Sequence, residues 1–181
     1  MKNIFLAIIT AFSLLMSGCS NAITEAEMPE IPFKVITYLC RDDLDENAEQ
    51  GKRAIVFLDK SGNYYLSDYS EICFLSNEEL IEALKSGDER ITKLSITCDV
   101  DELRENYNKL AAVKNKCELA YPKELPAVEA DSTTWYGLFY GEDGKLTNLP
   151  FHADERMTGI ETNNDRANEV YEWYKSAAKK Q

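Results

Sequence analysis

The chain has 181 residues, 44% of them hydrophobic, a length and composition that suit one compact domain with its own core. Its 32 acidic and 20 basic residues give a formal net charge of -12, which argues against nucleic-acid binding because such a surface repels phosphate. The same charge disfavours direct adsorption to anionic lipid, so any membrane association needs a separate anchor.

The N-terminal segment is typical of a bacterial export signal. Lys2 supplies a positive start, residues 4–16 are apolar, and Ser17-Gly18-Cys19 is a small-residue cleavage site that ends in cysteine. The pattern resembles the signal of bacterial lipoproteins, whereas an ordinary secretory signal or a short membrane anchor would not need the cysteine. The resemblance implies that residues 1–18 are removed and that Cys19 carries palmitate and other acyl groups. Because Ser20 follows, it also implies the outer membrane, with the protein facing the periplasm.

The segment after the cysteine is expected to act as a tether. Residues 19–32 are polar and contain Pro29 and Pro32, which favour an extended chain between lipid and domain. The sequence therefore predicts one periplasm-facing domain over residues 33–181.

The mature domain is predicted to be α+β, with an antiparallel sheet and two or three helices packed on it. Strands are expected where β-branched, aromatic or alternating apolar residues cluster, at 33–40, 53–58, 64–67, 71–75, 90–98, 133–140 and 145–149. Between the second and third of these, Asp59-Lys60-Ser61-Gly62-Asn63 has the composition of a tight hairpin turn.

Three helices are predicted from their N-terminal capping residues and their apolar spacing. Ser76 and Glu79 form a capping box that begins a short helix ending at Gly87. Asp99 caps the second helix. Its inward stripe is expected to comprise Leu103, Tyr107, Leu110, Lys114 and Cys117. The third helix covers residues 164–180, with a stripe of Ala167, Val170, Tyr171, Tyr174 and Ala178.

Four cysteines remain once Cys19 is assigned to lipid, namely Cys40, Cys73, Cys98 and Cys117. An even number in an oxidising compartment predicts two disulfides, and three pairings stay open, with Cys117 expected to reach a strand. The alternative is buried free thiols. The absence of a Cys-x-x-Cys pair argues against a thiol oxidoreductase or a zinc site.

Catalytic and metal-binding motifs are not found in the sequence. His152 is the single histidine and is expected in a loop, so a hydrolase would have to build its site around this residue alone. Asp43, Asp45 and Asn47 alternate as in a calcium loop, but alanines occupy the positions of the required glycine and glutamate. A weak divalent-ion site in the acidic loop is an alternative. We expect a non-enzymatic protein without cofactor or metal.

The most acidic stretch of the chain is expected to face a protein partner. Residues 25–50 contain eight acidic and two basic side chains, a net charge of -6 that would attract a basic protein. The candidate contact residues are Asp42, Asp43, Asp45, Glu46 and Glu49. The alternative is a solubilising face. The C-terminal half is rich in aromatic residues, and strand alternation would expose part of this set as a binding surface.

Two short segments resemble parts of membrane-bound lysozyme inhibitors. They are Tyr38-Leu39-Cys40 and Ser61-Gly62-Asn63-Tyr64-Tyr65, and that family pairs a Tyr-x-Cys strand with a Ser-Gly-x-x-Tyr loop. The resemblance implies a small barrel in which Ser61 and Tyr65 contact lysozyme. The family's second inhibitory motif is missing, and the hairpin interpretation of the second segment is preferred.

The function expected from the sequence is that of an envelope lipoprotein that binds and neutralises a protein, such as an immunity protein against a basic toxin or lytic enzyme. A lipid tether, a stiff acidic domain and the lack of catalytic motifs favour this hypothesis. The alternative is a structural or accessory lipoprotein of an envelope complex.

Overall fold

A computed structural model describes residues 28–39, 52–117, 132–155 and 164–177. These residues form six strands and four helices. The strands are β1 Phe33–Leu39, β2 Lys52–Leu58, β3 Asn63–Asp68, β4 Thr92–Thr97, β5 Ser132–Tyr140 and β6 Leu146–Glu155. The helices are α1 Tyr69–Ile72, α2 Asn77–Ser86, α3 Val100–Ala111 and α4 Asp165–Ala177. The predicted α+β class with an antiparallel sheet is confirmed.

All six strands belong to one antiparallel sheet in the order β4-β3-β2-β1-β5-β6. β1 is therefore a central strand, hydrogen-bonded to β2 on one side and to β5 on the other. Central strands need apolar side chains on both faces, and the alternation of Phe33 and Val35 with Ile36 along β1 meets this requirement.

Helices cover both faces of the sheet and create two apolar cores. Phe33, Tyr64, Phe139 and Phe151 face α3 and α4, in a cluster that we call the long-helix core. Ile55, Phe57, Leu138 and Leu146 face α1 and α2, in a cluster that we call the short-helix core. Because successive strand residues point to opposite faces, the neighbours Phe57 and Leu58 contribute to different cores.

The predicted β2–β3 hairpin is confirmed, and its turn is built around a buried carboxylate. Oδ1 of Asp59 accepts hydrogen bonds from the backbone N–H groups of Ser61 and Asn63, both at 2.9 Å. Gly62 has a φ of 82°, and a side chain there would place its Cβ 2.5 Å from the carbonyl oxygen of Cys98. The turn therefore requires glycine for both its backbone conformation and its packing.

The helix starts predicted from capping residues are confirmed. The Ser76 side chain accepts from the Glu79 N–H while the Glu79 carboxylate accepts from the Ser76 N–H, and α2 stops at Gly87 in the left-handed conformation. Asp99 caps α3 through the N–H groups of Asp101 and Glu102. However, α3 ends at Ala111, so Cys117 follows in a non-helical segment, buried in the long-helix core, and Lys114 is exposed.

Three further local predictions from the sequence are wrong. The segment 71–75, expected as a strand, begins in helix α1 because Asp68 accepts from the Ser70 N–H and starts a helical turn. His152, expected in a loop, lies in β6. The predicted tether extends too far, because Met28 and Ile31 are buried in the two cores, so the packed domain begins by Met28 rather than at Phe33.

The strand β6 ends one side of the sheet, and a β-bulge changes the direction of its side chains. Trp135 pairs with His152 while Tyr136 pairs with Pro150, so Phe151 is an extra residue. Phe151 and His152 consequently both reach the long-helix side, where Phe151 is fully buried. Within the described ranges, no helix has the length and apolarity needed to cross a membrane.

Candidate protein-binding surface

The junction between α1 and α2 holds a rigid, outward-pointing segment. Ile72 and Leu80 anchor its two sides in the short-helix core. Between them, the N–H of Cys73 donates to Tyr69 at 2.8 Å, the N–H of Leu75 donates to Ile72 at 3.1 Å, and Ser76 belongs to the capping box. The backbone is thus fixed on both sides of Phe74.

Phe74 is the most exposed large apolar residue in the described part of the chain. Its relative exposure is 86%, whereas the other phenylalanines described are buried. Because the flanking backbone is hydrogen-bonded, this exposure comes from the fold itself. Covering such a side chain contributes about 1.5–3 kcal/mol, so an exposed phenylalanine on a rigid support is a typical protein-contact residue.

Tyr140 is a second exposed aromatic residue on the same side of the sheet, with an exposure of 47%. It pairs with Leu146, which belongs to the short-helix core, and cross-strand partners share a face. The start of α2 is hydrogen-bonded to Leu146, the first residue of β6. The Asn77 side chain donates to the Leu146 carbonyl at 3.1 Å, and the Glu78 carboxylate accepts from the Leu146 N–H at 2.8 Å. Phe74 and Tyr140 therefore flank the N-terminus of α2.

The segment that forms α1 and α2 and carries Phe74 is rich in acidic residues. The segment from Asp68 to Arg90 contains seven acidic and two basic residues, a net charge of -5. The Leu146 N–H lowers the pKa of Glu78, and the Ser76 N–H lowers the pKa of Glu79. Both carboxylates are therefore ionised at neutral pH, where they add to the negative potential of this surface.

We call this surface the aromatic–acidic face and define it by Phe74, Tyr140, Glu71, Glu78, Glu79 and Glu82, all of which are exposed. Fixed aromatic side chains provide apolar contact area, and carboxylates provide charge that attracts basic partners. The arrangement is suited to binding a protein.

A half-buried lysine, Lys34, lies beneath the aromatic–acidic face. Lys34 Nζ donates to the Asn77 side-chain oxygen at 2.9 Å and lies 5.9 Å from the centre of the Tyr136 ring. Burial lowers the pKa of Lys34 to about 8. Since Asn77 also binds the Leu146 carbonyl, a single amide joins β1, α2 and β6 under the aromatic–acidic face.

The acidic loop predicted to bind a partner lies outside the described residues, together with Cys19 and Cys40. This applies to all five candidate contacts, Asp42, Asp43, Asp45, Glu46 and Glu49. The strand ends that flank this loop are described: Leu39 pairs with Lys52, and two residues further along β2, Ala54 pairs with Asp68, the N-cap of α1.

The structure describes three of the four cysteines that were assigned to disulfides. Cys73 and Cys98 carry free thiols and lie beyond opposite ends of β3, so the pairing that would join them is incompatible with this sheet. Burial raises the pKa of Cys98 to about 11, which makes its thiol unreactive. Cys117 is buried. Each of the three predicted pairings includes one bond between two of Cys73, Cys98 and Cys117, and because Cys73 and Cys98 are free thiols, the structure has none of these bonds. A bond to Cys40, which lies outside the described residues, stays a prediction.

The other residues considered from sequence have structural surroundings. His152 stacks on Tyr171 with ring centres 3.5 Å apart and meets the edge of Trp135 at 5.2 Å. Ser61 lies in the hairpin turn, and the Tyr65 hydroxyl donates to Asp59 at 3.1 Å. The small barrel implied by the resemblance to lysozyme inhibitors is not the fold of this domain, whose sheet is open and carries helices on both faces.

Sequence reasoning missed Phe74 because it assigned this residue to a strand. A usable signal was present, since Asp68 followed three residues later by Glu71 is a helix-start pattern, and this would have placed Phe74 between two helices. Its exposure, by contrast, depends on tertiary packing.

The described residues contain no group of three or more His, Cys, Asp or Glu side chains arranged to hold a metal ion. Comparisons of the chain with protein-family models, with curated proteins and with solved structures find no match.

Proposed function

We propose that this chain is an envelope lipoprotein that binds and neutralises a protein, in the manner of an immunity protein against a basic toxin or lytic enzyme. The N-terminal pattern ending in Cys19 supports lipid anchoring, and the net charge of -12 supports a basic partner. In this proposal the anchor holds the domain in the periplasm, at the outer membrane, where the partner arrives.

The exposure of Phe74 is the observation that carries the proposal. A monomeric domain gains nothing from holding a phenylalanine in water on a hydrogen-bonded support. A binding protein gains a great deal, because a side chain that is already fixed loses little conformational entropy when the complex forms.

Neutralisation follows from binding if the partner's active region is covered. Acidic charge speeds the encounter with a basic protein, and this acceleration weakens as salt screens the field. The protein needs no chemistry of its own, in agreement with the non-enzymatic role expected from the sequence.

The test is affinity purification of the full-length, lipidated protein from the envelope of the bacterium that produces it. We expect a stoichiometric partner with a basic surface, whose toxic or lytic activity falls when the purified lipoprotein is added. Recovery of the subunits of an envelope machine would replace the proposal with an accessory role, and recovery of no partner would reject it.

The lipid anchor is tested separately by replacing Cys19 with serine, which removes the acceptor thiol. Metabolic labelling with radioactive palmitate is expected to mark the wild-type protein and Cys73→Ser, but not Cys19→Ser. The unlabelled variant should also keep its signal peptide or appear in the soluble fraction. Equal labelling of all three proteins would contradict the anchor.

A further inference from the structure

The aromatic–acidic face stands apart from the rest of the described surface. Both large apolar side chains that are exposed in the described residues, Phe74 and Tyr140, lie on the α1–α2 side of the sheet. On the opposite side, the inward residues Val170, Tyr171 and Tyr174 of α4 are buried in the long-helix core.

The two sides also differ in charge, and the α1–α2 side is the more acidic one. α3 and α4 each carry three acidic and two basic residues. On α3 the opposite charges pair, as in Asp101 with Arg104 at 3.0 Å and Glu105 with Lys109 at 2.9 Å. The segment from Asp68 to Arg90, which carries Phe74, has seven acidic and two basic residues.

Four basic residues lie on or beside this segment and reduce its negative charge without balancing the seven acidic residues: Lys85, Arg90, Arg53 over the Tyr69 ring at 5.3 Å, and Lys145 close to the Glu78 carboxylate. Arg90 binds Asp88 at 2.7 Å and also donates to the Glu71 carbonyl at 3.1 Å. Lys85 lies 4.0 Å from Glu30. Glu78 and Glu79 each accept a backbone N–H, which fixes their positions without cancelling their charge.

We infer that the aromatic–acidic face is the surface that binds the partner, with Phe74 inserted into an apolar pocket that lysine or arginine side chains surround on the partner protein. This inference rests on the proposed function and specifies its site. Apolar anchors surrounded by charge are a common composition of binding hot spots, and the excess of carboxylates selects a basic rim on the other protein.

Site-specific photo-crosslinking tests the contact in the living cell. The photoreactive amino acid p-benzoylphenylalanine replaces Phe74 in the full-length lipoprotein, and a second strain carries it at Glu169, an exposed position on α4. Irradiation is expected to give one discrete protein adduct from position 74 and none from position 169. Mass spectrometry of the adduct should identify a protein with a basic surface.

The crosslinking result can also overturn the inference. A product at twice the mass of the chain would show that Phe74 meets a second copy of this protein. Adducts with lipid alone would indicate contact with the membrane. No adduct from position 74, or equal adducts from both positions, would show that this face does not hold the partner.

Binding measurements with the purified lipoprotein and the crosslinked partner then test the chemistry. Phe74→Ala is expected to weaken binding about tenfold or more because it removes the anchor. Glu82→Lys is expected to slow association and weaken binding several-fold, whereas Glu169→Lys, the same change on the opposite side, leaves binding within about twofold.

These outcomes separate the inference from the proposed function. If affinity purification yields a neutralised partner and Phe74→Ala binds it as tightly as the wild type does, the face is wrong and the function stands. If Glu82→Lys and Glu169→Lys have equal effects, the charge complementarity assigned to this face is wrong. If purification yields no partner, both fail.

Discussion

At the scale of single residues, the exposed Phe74 and the buried Phe57 are expected to contribute very differently to stability. Phe74→Ala is expected to change the free energy of unfolding by no more than about 0.5 kcal/mol, because its side chain lies in water. Phe57→Ala removes a fully buried ring from the short-helix core and should cost about 3–5 kcal/mol. Urea denaturation of both variants measures the contrast. A large loss of stability in Phe74→Ala would show that this ring supports the fold.

Lys34 makes the stability of the domain depend on pH. Its pKa is about 8 in the folded protein against an ordinary value of 10.5, so between these values the unfolded chain binds more protons. Above pH 10.5 the lysine is neutral in both states, and the free energy of unfolding is highest with respect to this group. As the pH falls from 10.5 to about 8, the unfolded chain takes up the proton first, and the free energy of unfolding decreases. The loss amounts to about 1–3 kcal/mol.

Lys34→Met removes the titrating group and provides the test. The wild type is expected to gain stability relative to this variant as the pH rises from 8 to 10.5, and Lys93→Met, at an exposed position of β4, serves as the control. Guanidinium denaturation at the two pH values gives the comparison. A stability difference between wild type and Lys34→Met that does not change with pH would contradict the burial of the ammonium group.

At the scale of elements, the β2–β3 turn is expected to depend on glycine for two reasons. Gly62→Ala combines left-handed strain with a collision against the Cys98 carbonyl and should cost about 3 kcal/mol. Gly144 also has a positive φ, of 76°, but nothing lies within 4 Å of its added Cβ, so Gly144→Ala should cost about 1 kcal/mol. Thermal unfolding of the two variants measures the difference, and equal losses would show that the turn tolerates the added methyl group.

Elements specified by a few neighbouring residues could be predicted from the sequence. The capping box of Ser76 and Glu79, the cap at Asp99 and the Asp59–Gly62 turn all depend on hydrogen bonds within four residues, and the structure has each of them. Helix α1 was missed because its apolar residues also fit a strand, and the choice is made by the Asp68 cap and by the packing of Ile72.

Features that depend on distant residues could not be predicted. The bulge at Phe151 arises from the pairing of β5 with β6. Because of this bulge, His152, which the sequence placed in a loop, packs against Tyr171 in an aromatic cluster. Burial of Met28 and Ile31 likewise depends on cores assembled from residues far along the chain. The aromatic–acidic face brings together Phe74 and Tyr140, which are 66 positions apart in the sequence, so no local pattern could have indicated it.

At the scale of the whole molecule, the layered architecture separates the residues that stabilise the fold from the exposed aromatic–acidic face. The long-helix core and the short-helix core together fix the sheet, and the linked contacts of Lys34, Asn77 and Leu146 fix α2 upon it. Phe74 and Tyr140, beside α2, are thereby fixed in position although neither ring is part of an apolar core. A stable domain can in this way present a contact surface that changes little when a partner binds.

The most direct test of the proposed function is affinity purification of the full-length protein and its Phe74→Ala variant from the bacterium that produces it, followed by an activity assay of whatever copurifies. We predict one stoichiometric basic protein with the wild type, strongly depleted in the variant, whose toxic or lytic activity falls as the purified protein is added. A purification that yields no partner, or a partner whose activity is unchanged by the purified protein, would contradict the account.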